Sequence, residues 1–231
     1  WVLGALVGRE RDFHILYCYT TRRRRVKASE PGRLFSPAPA PKVNAYIGGL
    51  WADRYAYVNG YYHAAVVLGK CVIDGEPPDL LFYPICFNFR HCIELHLKAL
   101  VYEIDSLHRV LVSLEEASDL PSKPRRMMKR HSLICLLQWT EKALEVFSDE
   151  RMDKDVRRAI LEFDRYDADG QAFRYHIKND GSQSLPDESR VGIEALLNRM
   201  ETVHFHLCGI DMWLADQKET AQGVLDDLSE S

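Results

Sequence analysis

The stretch CFNFRHCIELHLKALVYEIDSLHRVLVSL, residues 86–114, sets the fold class. Cys86, Phe89, Ile93, Leu97, Leu100, Ile104, Leu107, Leu111 and Leu114 recur every three or four positions. That is the period of one apolar helix face. A long helix is predicted, opening near Pro84, where proline suits a first helical turn, and bending around Asp105 and Ser106.

The same period extends to both sides. Upstream, Trp51, Tyr55, Val58, Tyr62, Ala65, Val66 and Gly69 mark a helix that DGEPPD (74–79) ends. Downstream, DLPSKP (119–124) stops the long helix. Another follows His131 and Ser132, with Leu133, Leu136, Leu137, Thr140, Leu144 and Phe147 on one face. A fourth covers about 151–165, carried by Val156, Ile160 and Phe163. After a turn-rich stretch, Ile193, Leu196, Met200, Val203, Leu207, Ile210 and Leu214 form the last stripe. No segment alternates with period two. The expectation is an all-α, up-and-down bundle of about five helices, spanning 43–220.

Composition is consistent with this. At 46% hydrophobic and 10% aromatic, the 231 residues can bury a core, which excludes global disorder. No apolar run approaches the ~18 residues of a membrane span, so no membrane association is expected. WVLGALVG (1–8) has no basic residues before it and no small-residue cleavage site after it, so it is not read as a signal peptide. Six scattered cysteines without CxxC suggest reduced thiols in the cytoplasm. Charge is uneven. Residues 1–42 hold nine Lys/Arg against three Asp/Glu, and the rest hold 21 against 31. The first segment, with Arg22 to Arg25 and the SPAPAPK exit, reads as a flexible basic arm. Residues 221–231 read as an acidic tail.

Chemistry-bearing residues sit at three stations. Arg90, Glu94 and Lys98 are spaced i, i+4, i+8, which makes either an exposed charge ladder or a part-buried site. His131 opens a helix that Ser132 caps, after the acid-free run KPRRMMKR. Basic side chains and free helix N–H groups there would suit phosphate. Arg174 in FRYH either clamps an anion or pairs with Asp164, Asp167 or Asp169. The ligand-binding set is thus Arg90, Glu94, Lys98, His131 and Arg174. DADG (167–170) lacks the later oxygen ligands of a calcium loop and reads as a turn. Cys92 and His96, and His204 and Cys208, are two i, i+4 pairs that could meet as a zinc site if their helices pack side by side. The alternative, two buried thiols and two satisfied histidines, is preferred, and no metal or cofactor is expected.

FRHCIELHLKAL (89–100), RHSLICLL (130–137) and FRYH (173–176), in that order, resemble stations of the HEPN superfamily (higher eukaryotes and prokaryotes nucleotide-binding). Ser132 stands where the family pattern has Asp, and His176 where it has Pro. The resemblance covers about 44–217. It implies a four- or five-helix bundle, often a homodimer, that binds nucleotides or RNA. Many such proteins are endoribonucleases in toxin–antitoxin or phage-defence systems, with an antitoxin or nucleotidyltransferase-like partner. Their nuclease motif is Arg-x4–6-His. The chain holds six such spacings, inflated above the roughly two expected by chance through basic clustering. Arg90 and His96 fall about 120° apart on a helix and do not converge. Arg199 and His206 are nearly co-facial, though about 10 Å apart along the axis, and are the catalytic candidates. Trp213, off the last stripe, suggests a homodimer interface.

Overall fold

The computed structural model describes residues 44–45, 53–121, 123–149, 151–178, 180–185 and 190–230. All but Asn44 and Ala45 belong to one unit, and the description concerns that unit. The basic arm expected at 1–42 lies outside the described residues. Six helices follow in order: α1 (Arg54–Ile73), α2 (Pro78–Ser113), α3 (Pro124–Met127), α4 (Leu133–Leu144), α5 (Lys154–Tyr166) and α6 (Ile193–Glu230). One isolated antiparallel bridge joins Ile177 and Gln183. The fold is all-α. No helix among the described residues is long and apolar enough to cross a membrane.

Local chemistry sets the helix starts. Asp53 caps α1 by accepting the Ala56 N–H at 2.8 Å. Asp153 caps α5 by accepting from Asp155 and Val156 at 2.8 and 3.0 Å. Ser132 caps α4 through the Cys135 N–H, as the sequence predicts. The long helix departs from its predicted start. Pro78 opens α2, and Pro84 lies inside it. Pro84 removes one bond to the Leu80 carbonyl, close to the exposed first turn, where Leu80 is 73% exposed. The helix also runs on through Asp105 and Ser106. At the other end of the chain, the stretch expected as an acidic tail continues α6 to Glu230.

Helix α2 is the axis of the unit. It packs against α1, α3, α4 and α6. Between Ile85 and Leu107 it is therefore buried on several sides, and Phe89, Ile93, Leu97, Leu100 and Ile104 vanish from the surface. Leu133, Leu136 and Leu137 of α4, Ile160 of α5, and Val203 and Leu207 of α6 complete the core. Gly69 lets α1 approach α6 closely: a Cβ there would lie 2.6 Å from Leu197. Such encirclement also buries polar groups of α2. Glu103, 5% exposed, accepts from Arg54 and, at 2.7 Å, from Lys218. The Tyr55 hydroxyl donates to Asp211 nearby. Trp213, the residue that suggested a homodimer interface, is part-buried and packs on the core.

Candidate functional site: a buried arginine behind a basic rim

Arg90 is only 1% exposed, so the exposed-ladder alternative for α2 is wrong. Its guanidinium spends its donors on three segments. Nη1 donates to Glu94 Oε2 at 2.6 Å, Nε to the Asp167 carbonyl at 3.0 Å, and Nη2 to the His131 carbonyl. The Asp167 carboxylate adds an ionic contact at 3.4 Å, while its Oδ1 accepts the Ala172 N–H. One side chain thus ties α2 to the start of α4 and to the DADG turn. The turn needs glycine at 170: its φ is +79°, and a Cβ there would sit 3.4 Å from the guanidinium.

Glu94, 3% exposed, is the other half of this hub. Besides Arg90, it accepts from Lys98 at 2.7 Å and contacts His131 Nδ1 at 2.9 Å. Burial alone would raise its pKa. The hydrogen bonds and charges of Lys98 and Arg90 outweigh burial and hold the carboxyl below its ordinary 4.5. Because the folded value is the depressed one, the stability Glu94 contributes is complete above that ordinary value and is lost as pH falls below it. We expect the acid limb of the stability profile, between about pH 5 and 3, to flatten in Glu94→Gln. Urea titrations across that range check it, and an unaltered slope would refute it.

Among the described residues, His131 is held at its ring Nδ1, by Glu94. Its side chain is 66% exposed, so Nε2 faces solvent while Glu94 orients the ring. Before it lies the run Lys123, Arg125, Arg126, Lys129 and Arg130, all exposed. None pairs with a carboxylate among the described residues. The helix N–H groups of α4 do not reinforce this charge, contrary to the sequence expectation. Ile134 donates to Asp164 at 3.0 Å and Cys135 to Ser132, so those donors are taken.

Arg174 stands beside the hub rather than in it. The predicted pairing with Asp164, Asp167 or Asp169 does not occur, because Asp167 serves Arg90, and Asp164 and Asp169 accept backbone N–H groups. Arg174 instead donates to the Tyr175 hydroxyl at 2.9 Å and lies 5.9 Å from the Phe87 ring centroid. Phe87 stacks with His91, whose edge partner is Tyr61. This aromatic set escaped the sequence reading, and Asp167, read there as a candidate partner of Arg174, serves Arg90 instead.

The nuclease candidates Arg199 and His206 have different surroundings. Arg199 lines a cleft of about 440 Å³ with Phe82, Phe163, Phe173 and Met200, between α5 and α6. His206, two turns along α6, accepts the Asp153 N–H at 3.3 Å and so helps to seat α5.

A second cluster does form. Helices α2 and α6 pack side by side, and Cys92, His96 and His204 place their ligand atoms within 4.8 Å of one another. Cys208 Sγ lies 3.7 Å from His96 Nε2 and 3.8 Å from His204 Nε2. Tyr62 of α1 covers the group, stacked on His204 at 3.9 Å. Burial, with the neighbouring His204, pushes His96 down to about 3, so its ring is neutral.

With this geometry in hand, comparison with protein-family models, curated proteins and solved structures finds no significant match. The described residues form an all-α unit with one polar cluster at a solvent-facing rim and another, of Cys and His, between α2 and α6.

Proposed function

We propose that this chain is a HEPN-like helical domain that binds single-stranded RNA or a nucleotide through its phosphates. The observation that carries this reading is the rim around His131. An imidazole oriented by a buried carboxylate adjoins five exposed cations that carry no acid among them. Side chains of this kind neutralise phosphate and release its counterions. Arg174, beside Phe87 and Tyr175, adds a cation next to aromatic surface that suits an unstacked base. The family resemblance of the three stations points the same way. The excess of acid over base beyond residue 42 restricts binding to this local patch.

The test is the salt dependence of binding to a labelled, unstructured RNA oligonucleotide. Affinity should fall with salt, and Arg125→Glu with Arg126→Glu should weaken it at least tenfold. Each lost phosphate contact should shrink the log–log slope by about 0.7. Equal affinity and slope in the double variant would refute the assignment. A second reading, endoribonuclease, draws on the same feature: Nε2 of a Glu94-held His131 is placed as a general acid or base would be. Cleavage of the oligonucleotide that vanishes in His131→Ala would select it. Cleavage dependent on Arg199 and His206 would instead place the chemistry elsewhere.

A further inference from the structure

We propose that Cys92, His96, His204 and Cys208 form a closed Cys2His2 site for Zn2+ that pins α6 to α2. Cys92, His96 and His204 gather their ligand atoms between two helices, and Cys208 Sγ approaches both imidazoles, which together supplies two thiols and two imidazoles, the donor set of structural zinc sites. Zn–S bonds near 2.3 Å and Zn–N bonds near 2.0 Å in a tetrahedron put neighbouring donors about 3.3–3.8 Å apart. Cys208 Sγ already stands 3.7 and 3.8 Å from the two Nε2 atoms. Cys92 lies within 4.8 Å of a ring nitrogen of each imidazole, and Cys208 stands outside that mutual group, so side-chain rotation that draws the two sulfurs together closes the set.

The hydrogen-bond inventory favours a cation. Two Nε2 atoms converge on Cys208, whose thiol has one proton and is a weak donor and acceptor. A metal-free cluster therefore leaves at least one buried imidazole nitrogen with a poor partner. His96 is 1% exposed and His204 8%, so water offers little relief. A cation facing two lone pairs and two thiolates satisfies them all, with two thiol protons released as it binds. Both Nδ1 atoms lack partners with or without the metal, so they do not decide between the two. All four positions come from protein, and Tyr62 stacks over the group, which marks the site as structural rather than catalytic.

Cobalt serves as the optical probe. The full chain, reduced, treated with chelator and refolded to its native helicity, is titrated with Co2+. Expected are about one Co2+ per chain, a thiolate-to-cobalt charge-transfer band, intense tetrahedral d–d bands, and displacement by Zn2+. Cys208→Ser should abolish the charge-transfer band of that sulfur and weaken retention at least tenfold. Cys135→Ser, a change at an exposed cysteine on α4, should alter nothing. Should Cys208→Ser not fold, alkylation of the wild-type chain decides: Zn2+ should slow modification of Cys208 at least tenfold. A folded wild-type chain without the charge-transfer band overturns the proposal. So do bands unchanged in Cys208→Ser, or equal alkylation rates with and without Zn2+.

Discussion

Replacing Arg90 with methionine lowers the unfolding free energy by about 3–5 kcal/mol, the range for breaking a buried ion pair on one side. The size follows from what stays behind. Glu94 keeps Lys98 but loses its shortest cationic contact, and the Asp167 carboxylate loses its ionic contact with Arg90. The His131 and Asp167 carbonyls lose their donors as well. Arg90→Lys does not restore the wild type. An ammonium on a flexible stem cannot present the planar fork that meets three acceptors in three directions. Urea denaturation of both variants checks this. A loss below about 1 kcal/mol in Arg90→Met would show that the hub contributes only what a surface pair does.

Phe89→Ala carries the second large effect, about 3–5 kcal/mol, as expected for truncating a buried aromatic. Phe89 is fully buried on α2 and adjoins Tyr62 of α1 at 6.1 Å between ring centroids. It therefore sits where α1 meets the axial helix, next to the Arg90 hub in sequence. Phe89→Leu keeps most of the volume and should cost less than half as much. RNA affinity per folded molecule should be unchanged in Phe89→Leu, since the ring touches none of the rim cations. Equal destabilisation by Leu and Ala would point to ring geometry rather than volume.

The stripe from Cys86 to Leu107 was readable because period alone defines it. What period cannot supply is how many sides of a helix its neighbours cover. A single stripe leaves Arg90, one residue past Phe89, at an edge facing solvent. Helices α1, α4 and α6 surround α2, and the DADG turn closes over Arg90, so the edge is interior. The pairing of Arg90 with Asp167 spans 77 residues, and no local spacing encodes it. Arg174 was the natural partner by proximity in sequence, and a nearer cation in space took the aspartate. The two Cys/His pairs show the same division. Their i, i+4 spacing was plain, whereas their meeting depends on α2 and α6 packing side by side. Pro84 misled for a different reason: an interior proline near the exposed first turn of a long helix costs one backbone hydrogen bond without ending the helix. Trp213 shows that a residue off the main stripe can still pack on the core at its margin.

The most direct test of the central claim measures RNA affinity and thermal stability together in His131→Ala and Arg174→Ala. Neither change removes a support of the core. The His131 carbonyl that receives Arg90 belongs to the backbone, and Glu94 keeps Arg90 and Lys98. The account predicts at least a tenfold loss of affinity for the labelled oligonucleotide in each variant, about 1.4 kcal/mol, with the melting temperature held within a few degrees. Wild-type affinity in both variants, accompanied by a clear fall in melting temperature, would contradict it and mark the rim as a polar staple for the loops.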